Sequence, residues 1–523
     1  MAMDARPIFL DMVHNNPGEE PFVTRYNDPT VLRDLGCTGK VFELFEAAQF
    51  GVDWSATDPE VFPVGSKERA WVDAKAEELT RFYDATKAAG LQVFCHTDMV
   101  ILPKRLVQLR GLKHPGDLSD PATVQAVRDL LAGIFARFPQ VDGLVIRIGE
   151  TYLQGAPYHM GAIDNKTDPQ RTIIPLMNLL RDEVCVKRGK QVIFRSWYSF
   201  DVDLAKYRAV SDGVEPHPNL VIVVKHCEGD FHRGNPFSKV LGQGRHRQLV
   251  EIQCQREYEG KGAYPNYVMN GVIEGFEEHV GQPGASLTAL WKNPLTAGVS
   301  TWSRGGGWRG PYLTNEFWCS VNMAVLAQWL RAPGQGEAAA FRTYAASLGL
   351  DEAGIADFRT LCLDSAAAIL RGRRSTKPAL VDTWWTRDQY IELPKVPQDP
   401  ADRALVLSER DAAVTLWEGI VARADRLRFA DPATTTYVRT SSRYGLHLYR
   451  IYQASWHLVA VGKDGDATER QRWIAAYDAA WKDLRTLKEE HPECATLYEA
   501  KGFTINGRGK PGIGAFVDTL RKP

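Results

Sequence analysis

Short hydrophobic runs recur through roughly the first 300 residues, and longer stretches of mixed polarity separate them. The runs predict strands at Pro7–Val13 (PIFLDMV), Lys40–Phe45 (KVFELF), Leu91–Cys95 (LQVFC), Gly143–Ile148 (GLVIRI), Gln191–Phe194 (QVIF), Leu220–Val224, Leu249–Ile252 and Ala297–Trp302 (AGVSTW). Helical spacing is read over Lys67–Ala89, Pro121–Arg137 and Arg171–Val186. Ser119-Asp120-Pro121 opens the second of these, with proline early in the first turn as helices prefer. Eight strands alternating with helices are what a (β/α)8 TIM barrel requires. The rival, a doubly wound open sheet, loses ground because no glycine-rich phosphate loop follows the first strand.

After Gly310 the strand signal fades. Asn315–Leu330, Glu337–Leu348, Glu352–Leu370, Asp402–Phe429, Tyr444–Val461 and Ala467–Glu490 all read as helices, and the glycine-rich tail from Lys501 to Pro523 reads as extended. The expected organisation is a barrel over residues 1–311 and a mainly α-helical C-terminal domain over 312–523. Such a domain often pairs subunits, so a homodimer through it is a further expectation.

Composition narrows the class of protein. The chain has 523 residues, 44% hydrophobic and 24% charged, with 63 basic against 64 acidic side chains. That balance argues against a nucleic-acid or anionic-membrane partner. The Arg371–Arg374 cluster is expected to be a solvated helix end. The N-terminus lacks the pattern of a secretion signal, and no apolar run is long enough for a membrane span. The eight cysteines are scattered without a CxxC pair, which fits reduced thiols in a cytoplasm.

The ends of the predicted strands hold the candidate chemistry, because barrel enzymes place their sites where such strands end. Glu150 closes the fourth strand in VIRIGETY and suits a general acid. Asp230 and Glu257 follow the sixth and seventh strands, where two carboxylates can share activation of one water if cations lie close by. Glu228 and Glu259 compete with them. Arg195 and Lys225 close the fifth and sixth strands, and are read either as a clamp on a substrate carboxylate or as counter-ions to the site acids. Arg147, Tyr152 and His226 stand beside these as further substrate-binding candidates, and Trp197, Trp302 and Trp308 as apolar platforms for sugar faces. Histidines 14, 96, 159, 226 and 232 also lie near strand ends or their loops. With no HxH pair and no HExxH, neither a metal nor a cofactor is expected.

Taken in order, these motifs resemble the xylan α-glucuronidases among the glycoside hydrolases. That family places a Lys after its sixth strand and an Asp five positions later followed by an aromatic, matching Lys225, Asp230 and Phe231. A Gln-containing run leads from its seventh strand into Glu-Tyr-x-Gly, as IQCQREYEG does here with Glu257, Tyr258 and Gly260. Arg195 in VIFRSWY corresponds to its substrate-binding Arg, and GVSTWSRGGGWRGPYLTNEFW is similar to its eighth-strand motif at Gly298, Val299, Trp308 and Gly310. The resemblance implies an inverting hydrolase that removes a terminal uronic acid from an oligosaccharide. Asp230 and Glu257 would flank the attacking water, Arg195 and Lys225 would hold the sugar, and Glu150 would be the acid. The chain departs from the pattern where the barrel begins near residue 7 without a preceding domain, and where the acid stands in GETYLQG. Two alternatives stay open: a metal-dependent TIM-barrel hydrolase and a non-catalytic sugar-binding barrel.

Overall fold

The computed structural model describes the chain outside residues 1–6, 17–19, 44–45, 99, 114, 149–152, 154, 162–168, 197–199, 202, 283, 307–312, 378–392, 493–508 and 523. Eight strands close into a barrel: β1 Ile8–His14, β2 Gly39–Phe42, β3 Gln92–Asp98, β4 Val141–Arg147, β5 Gln191–Arg195, β6 Leu220–Lys225, β7 Arg247–Gln253 and β8 Thr296–Gly305. They neighbour one another in sequence order, with β8 beside β1, and every pairing from β1 to β7 is parallel. The (β/α)8 expectation therefore holds, and all eight predicted strands overlap observed ones. Buried Val, Ile, Leu and Phe fill β3 to β7 because the strands face side chains inside the barrel and helices outside it.

Proline and aspartate fix several helix starts. Asp28-Pro29, Asp120-Pro121, Asp399-Pro400 and Asp431-Pro432 each supply a side-chain oxygen to an otherwise unpaired backbone N–H, with Pro in the first turn. Helices Lys67–Ala88 and Pro121–Arg137 agree with the periodicity to within a residue. The third predicted helix is split into an α-helix, Pro169–Leu180, and a π-helical turn, Arg181–Val186.

Contacts divide the chain into two compact units. The first comprises residues 1–230, 237–252 and 289–304 and contains the barrel; the second comprises 231–236, 253–288 and 305–523. In the second unit Glu352–Arg373, Pro400–Arg426, Pro432–Val461 and Ala467–Glu490 pack each on the next. Its core is aromatic, with Tyr264, Trp318, Phe341, Phe358, Trp417 and Tyr449 buried.

Three sequence expectations need correction here. The helix expected from Tyr444 begins at Pro432, because the Asp431 cap lies well before the apolar spacing becomes regular. The tail is not wholly extended: Ile513–Leu520 is helical and buries Ile513, Val517 and Leu520, packing on the Pro432–Val461 helix. Arg371–Arg374 is not a solvated end. Arg373 is buried over the Tyr452 ring, Arg371 is paired with Glu277, and the carbonyls of Arg371 and Arg374 accept from Arg410. The seven described cysteines are free and buried, as small apolar groups would be. No helix among the described residues is long and apolar enough to cross a membrane.

Candidate active site

The C-terminal ends of the barrel strands carry a collar of buried charge. Register puts Asp98 beside Arg147 and Lys225 beside Glu251 at the same height. Arg147 donates from Nε and Nη2 to the two oxygens of Asp98 at 2.7 and 2.8 Å. Arg195 donates from the same two nitrogens to Glu251, both at 2.7 Å. Each is the bidentate fork that a guanidinium offers a carboxylate. Burial alone would push the Glu251 carboxyl up, but the charge and hydrogen bonds of Arg195, with Lys225 nearby, outweigh it and hold it below its usual range. The Arg195 fork, one half of the clamp read for a substrate carboxylate, and that of Arg147, a further substrate-binding candidate, are thus occupied by acids of the barrel itself. The counter-ion reading of Arg195 applies to Glu251, an acid the sequence reading passed over.

Lys225 donates to Asp230 Oδ1 at 2.5 Å across the loop that leaves β6. The lysine is almost fully buried, while the Asp230 side chain keeps 19% of its surface exposed. The Cys227 thiol donates to the Asp230 carbonyl at 3.2 Å and steadies the same turn. His226 is buried; its backbone N–H donates to the Glu251 carbonyl at 2.9 Å and its Nδ1 lies 3.4 Å from that oxygen. Glu228 forms an exposed pair with Lys239 at 3.3 Å, which sets it apart from Asp230.

On the opposite arc of the strand order, His14 Nδ1 lies 3.2 Å from Glu43 Oε1, and His96 Nδ1 lies 3.7 Å from the same oxygen. Burial would raise the Glu43 carboxyl, but His14 and then His96 hold it down to about 2. Burial lowers His96 itself, with Arg147 and Arg195 adding to the effect against the pull of Glu43. Trp302 of β8 joins the arcs. Its ring stacks on His14 at 4.4 Å, with the Arg195 guanidinium at 5.3 Å and the Lys225 ammonium at 5.8 Å from its centre. At 5% exposed it is a scaffold for these groups rather than an open sugar platform.

In the second unit, Glu257 is buried and its backbone N–H donates to Gln253 Oε1 at 2.7 Å. Gly306 lies against its carboxyl so closely that a Cβ there would stand 2.9 Å from Oε2. Glu259 is taken up otherwise: Arg256 donates to its Oε2 at 2.9 Å, Asn266 at 3.2 Å, and the Arg233 backbone N–H binds the other oxygen. Burial opposes its ionisation, yet Arg256 and these hydrogen bonds hold its carboxyl at about 2. Glu259 is thus committed to these partners. Arg256 and Lys261, at φ 59° and 48°, bracket this segment and are two of the three non-glycine residues with positive φ among those described. Such strain concentrates at functional sites. His232 stacks on Tyr258 at 4.0 Å.

Of the residues singled out from sequence, Arg147, Arg195, Lys225, His226 and Asp230 fall in the barrel unit and Glu257 in the second unit. Glu150, Tyr152, Trp197 and Trp308 lie outside the described residues. Sequence reasoning set His14 near a strand end only among the histidines weighed for a metal, and missed Glu43, Asp98 and Glu251 altogether. The available signal was a charged side chain inside or at the end of an apolar strand, as in QVFCHTD and QLVEIQ. No group of three or more His, Cys, Asp or Glu side chains among the described residues is arranged to hold a metal ion.

No protein-family model and no curated protein sequence matches the chain. Solved structures do. A GH138 enzyme targeting the pectin rhamnogalacturonan II aligns with a TM-score of 0.60 over 93% of this chain at 12% identity, and the alignment spans 63% of that enzyme's length. A family 89 glycoside hydrolase from Clostridium perfringens aligns at 0.48 over 92% of this chain and 57% of its own, at 11% identity. An O-GlcNAc hydrolase from Thermobaculum terrenum aligns at 0.41 over 97% of this chain and 99% of its own, at 9% identity. What the chain shares with the first of these, itself a glycoside hydrolase, is the barrel fold with its helical continuation.

Proposed function

We propose that this protein is a glycoside hydrolase that releases a terminal acidic sugar, an α-linked glucuronic acid being favoured, from an oligosaccharide. The observation that carries the reading is the Lys225–Asp230 pair at the end of β6, at the rim where barrel enzymes do their chemistry. An ammonium at 2.5 Å favours the ionised carboxylate, which suits Asp230 to the base and not to the acid. Inverting hydrolysis pairs such a base with an acid on the other face of the sugar, about 6.5–9.5 Å away, leaving room for the water. In this reading Asp230 and Glu257 activate that water and Glu150 protonates the leaving oxygen. The order of motifs along the chain supports those roles. The fold shared with an enzyme named for a pectin target supports a carbohydrate substrate.

The collar revises the part given to the two arginines. With Arg147 on Asp98 and Arg195 on Glu251, their role here is to hold the mouth in shape, with Lys225 orienting the base. The barrel, residues 1–311, carries the chemistry, and imported fragments in a cytoplasm are the favoured setting.

Glucuronosyl oligosaccharides are the substrates to assay, with released uronic acid as the readout and its anomeric form followed by NMR. Asp230→Asn and Glu150→Gln are each expected to lower kcat by about 10²- to 10⁴-fold, as loss of a general base or acid does. Turnover at the wild-type rate in both variants would remove the mechanism.

A further inference from the structure

We propose that a small cavity between β2 and the Lys67–Ala88 helix binds a neutral polyhydroxylated ligand of one sugar ring, held by Lys40 and Glu46 beside the rings of Phe42 and Phe82. None of its lining residues belongs to the strand-end collar, and the site needs nothing from the reaction proposed there. The cavity measures about 170 Å³. At ~30 Å³ of liquid per water that is room for about five or six waters, which suits a single small ring and not two. Lys40, the second residue of β2, is buried. Its Nζ donates to the Asn27 carbonyl at 2.6 Å and lies 5.0 Å from the centre of the Phe42 ring. Phe42 in turn stacks on Phe82 of the helix at 6.4 Å and 6°, and Phe82 is 37% exposed. The aromatic wall therefore has one ring open to solvent, as a mostly apolar pocket with a few polar groups requires.

Glu46 follows β2, and its backbone carbonyl accepts from the Tyr83 hydroxyl at 2.6 Å, which anchors the residue to the same helix. Among the described residues its carboxyl has neither a hydrogen-bond nor an ion-pair partner. Burial pushes that carboxyl up to about 7, against the pull of Lys40. Burial lowers the Lys40 ammonium as well, against Glu46 and Asp11. Two groups of opposite charge thus line one cavity without pairing with each other. Hydroxyls fit them. A carboxyl near its titration point accepts from a hydroxyl when ionised and donates to one when protonated. Lys40 keeps a hydrogen beyond the one on Asn27 whether charged or neutral. A charged ligand would need one fixed protonation state here, and a zwitterion two.

D-xylose is the probe, with glycine and cyclohexanol as zwitterionic and apolar controls. In the full chain labelled with 4-fluorophenylalanine, the Phe82 ¹⁹F resonance is the one missing from Phe82→Leu. Xylose should shift it with a dissociation constant of about 1–10 mM, the range open to so small a ligand. Neither control should move it. Lys40→Met and Glu46→Leu should each weaken xylose about ten- to a hundredfold, and Glu46→Gln, which keeps an acceptor and a donor, by less than about threefold. Asp230→Asn should leave the titration as it is in wild type, which separates this cavity from sugar bound at the strand ends. Melting temperature is the folding control; if Lys40→Met does not fold, the wild-type resonance and the two Glu46 variants decide. A Phe82 resonance that xylose leaves in place gives the cavity to water and overturns the site. Equal xylose affinity in wild type and Glu46→Leu, a titration lost in Asp230→Asn, or a shift produced by glycine or cyclohexanol instead would overturn it too.

Discussion

A guanidinium and a carboxylate buried together are worth little as a pair and a great deal as a broken pair. Arg195 and Glu251 are both 3% exposed in their side chains, so neither can recruit water if the other is removed. Glu251→Gln is therefore expected to destabilise the protein by about 3–5 kcal/mol, read from urea unfolding. Replacing both partners by apolar residues of similar volume should cost far less. Asp11 poses the opposite case. Burial pushes its carboxyl up to about 6, although Thr301, Ser303 and Lys40 favour the ionised form. Between 3.8 and about 6 the folded protein keeps a proton that the unfolded chain has released. Stability from this group is thus fully present below pH 3.8 and is lost as pH rises to about 6. Asp11→Asn does not titrate, so it should gain on wild type by up to roughly 3 kcal/mol between pH 4 and 7, measured as the difference in unfolding free energy. Both residues sit inside strands that the apolar pattern located. Their importance was illegible because a charge within an apolar run reads as an interruption until its partner is seen.

At the scale of elements, barrel closure depends on the approach of β8 to β1. Gly298 has φ 148°, and a Cβ there would fall inside the van der Waals sphere of the Ile8 carbonyl oxygen. No other residue fits without parting the two strands. Gly298→Ala should destabilise by at least about 3 kcal/mol or prevent soluble expression, whereas Gly65→Ala, with open space around it and φ 83°, should lose only about 1 kcal/mol. Thermal unfolding of the two variants tests the contrast. The strands and most helices were legible because their periodicity is local. The misses came where a local signal was outranked. Asp431-Pro432 starts a helix well ahead of its regular apolar face, and Ile513–Leu520 folds against another helix despite a glycine-rich approach.

The molecule as a whole should be acid-labile. Burial, the leading cause in each case, depresses His96, His159, His246, His279 and His447. His159 falls to about 3, boxed by Phe50, Phe62 and Trp71. A base whose folded value lies below its unfolded 6.5 contributes stability above that pH and loses it as pH falls toward 3. The melting temperature should drop between pH 6.5 and 4.5, and His159→Phe should flatten that slope. An unchanged slope in the variant would place the acid sensitivity elsewhere.

The chain's own pattern determined a (β/α)8 barrel, the order of its strands and the helical continuation, because burying one face or both faces of an element imprints a period on neighbouring residues. It also located Lys225 and Asp230 at a strand end, five positions apart and close enough to pair. Tertiary structure alone decided that Arg147 forks onto Asp98, 49 residues away, and Arg195 onto Glu251, 56 away, and that His14 shares Glu43 with His96. Strand parity says which side chains point into a barrel. Which of them meet is set by register and closure, and those depend on the packing of the whole ring at once.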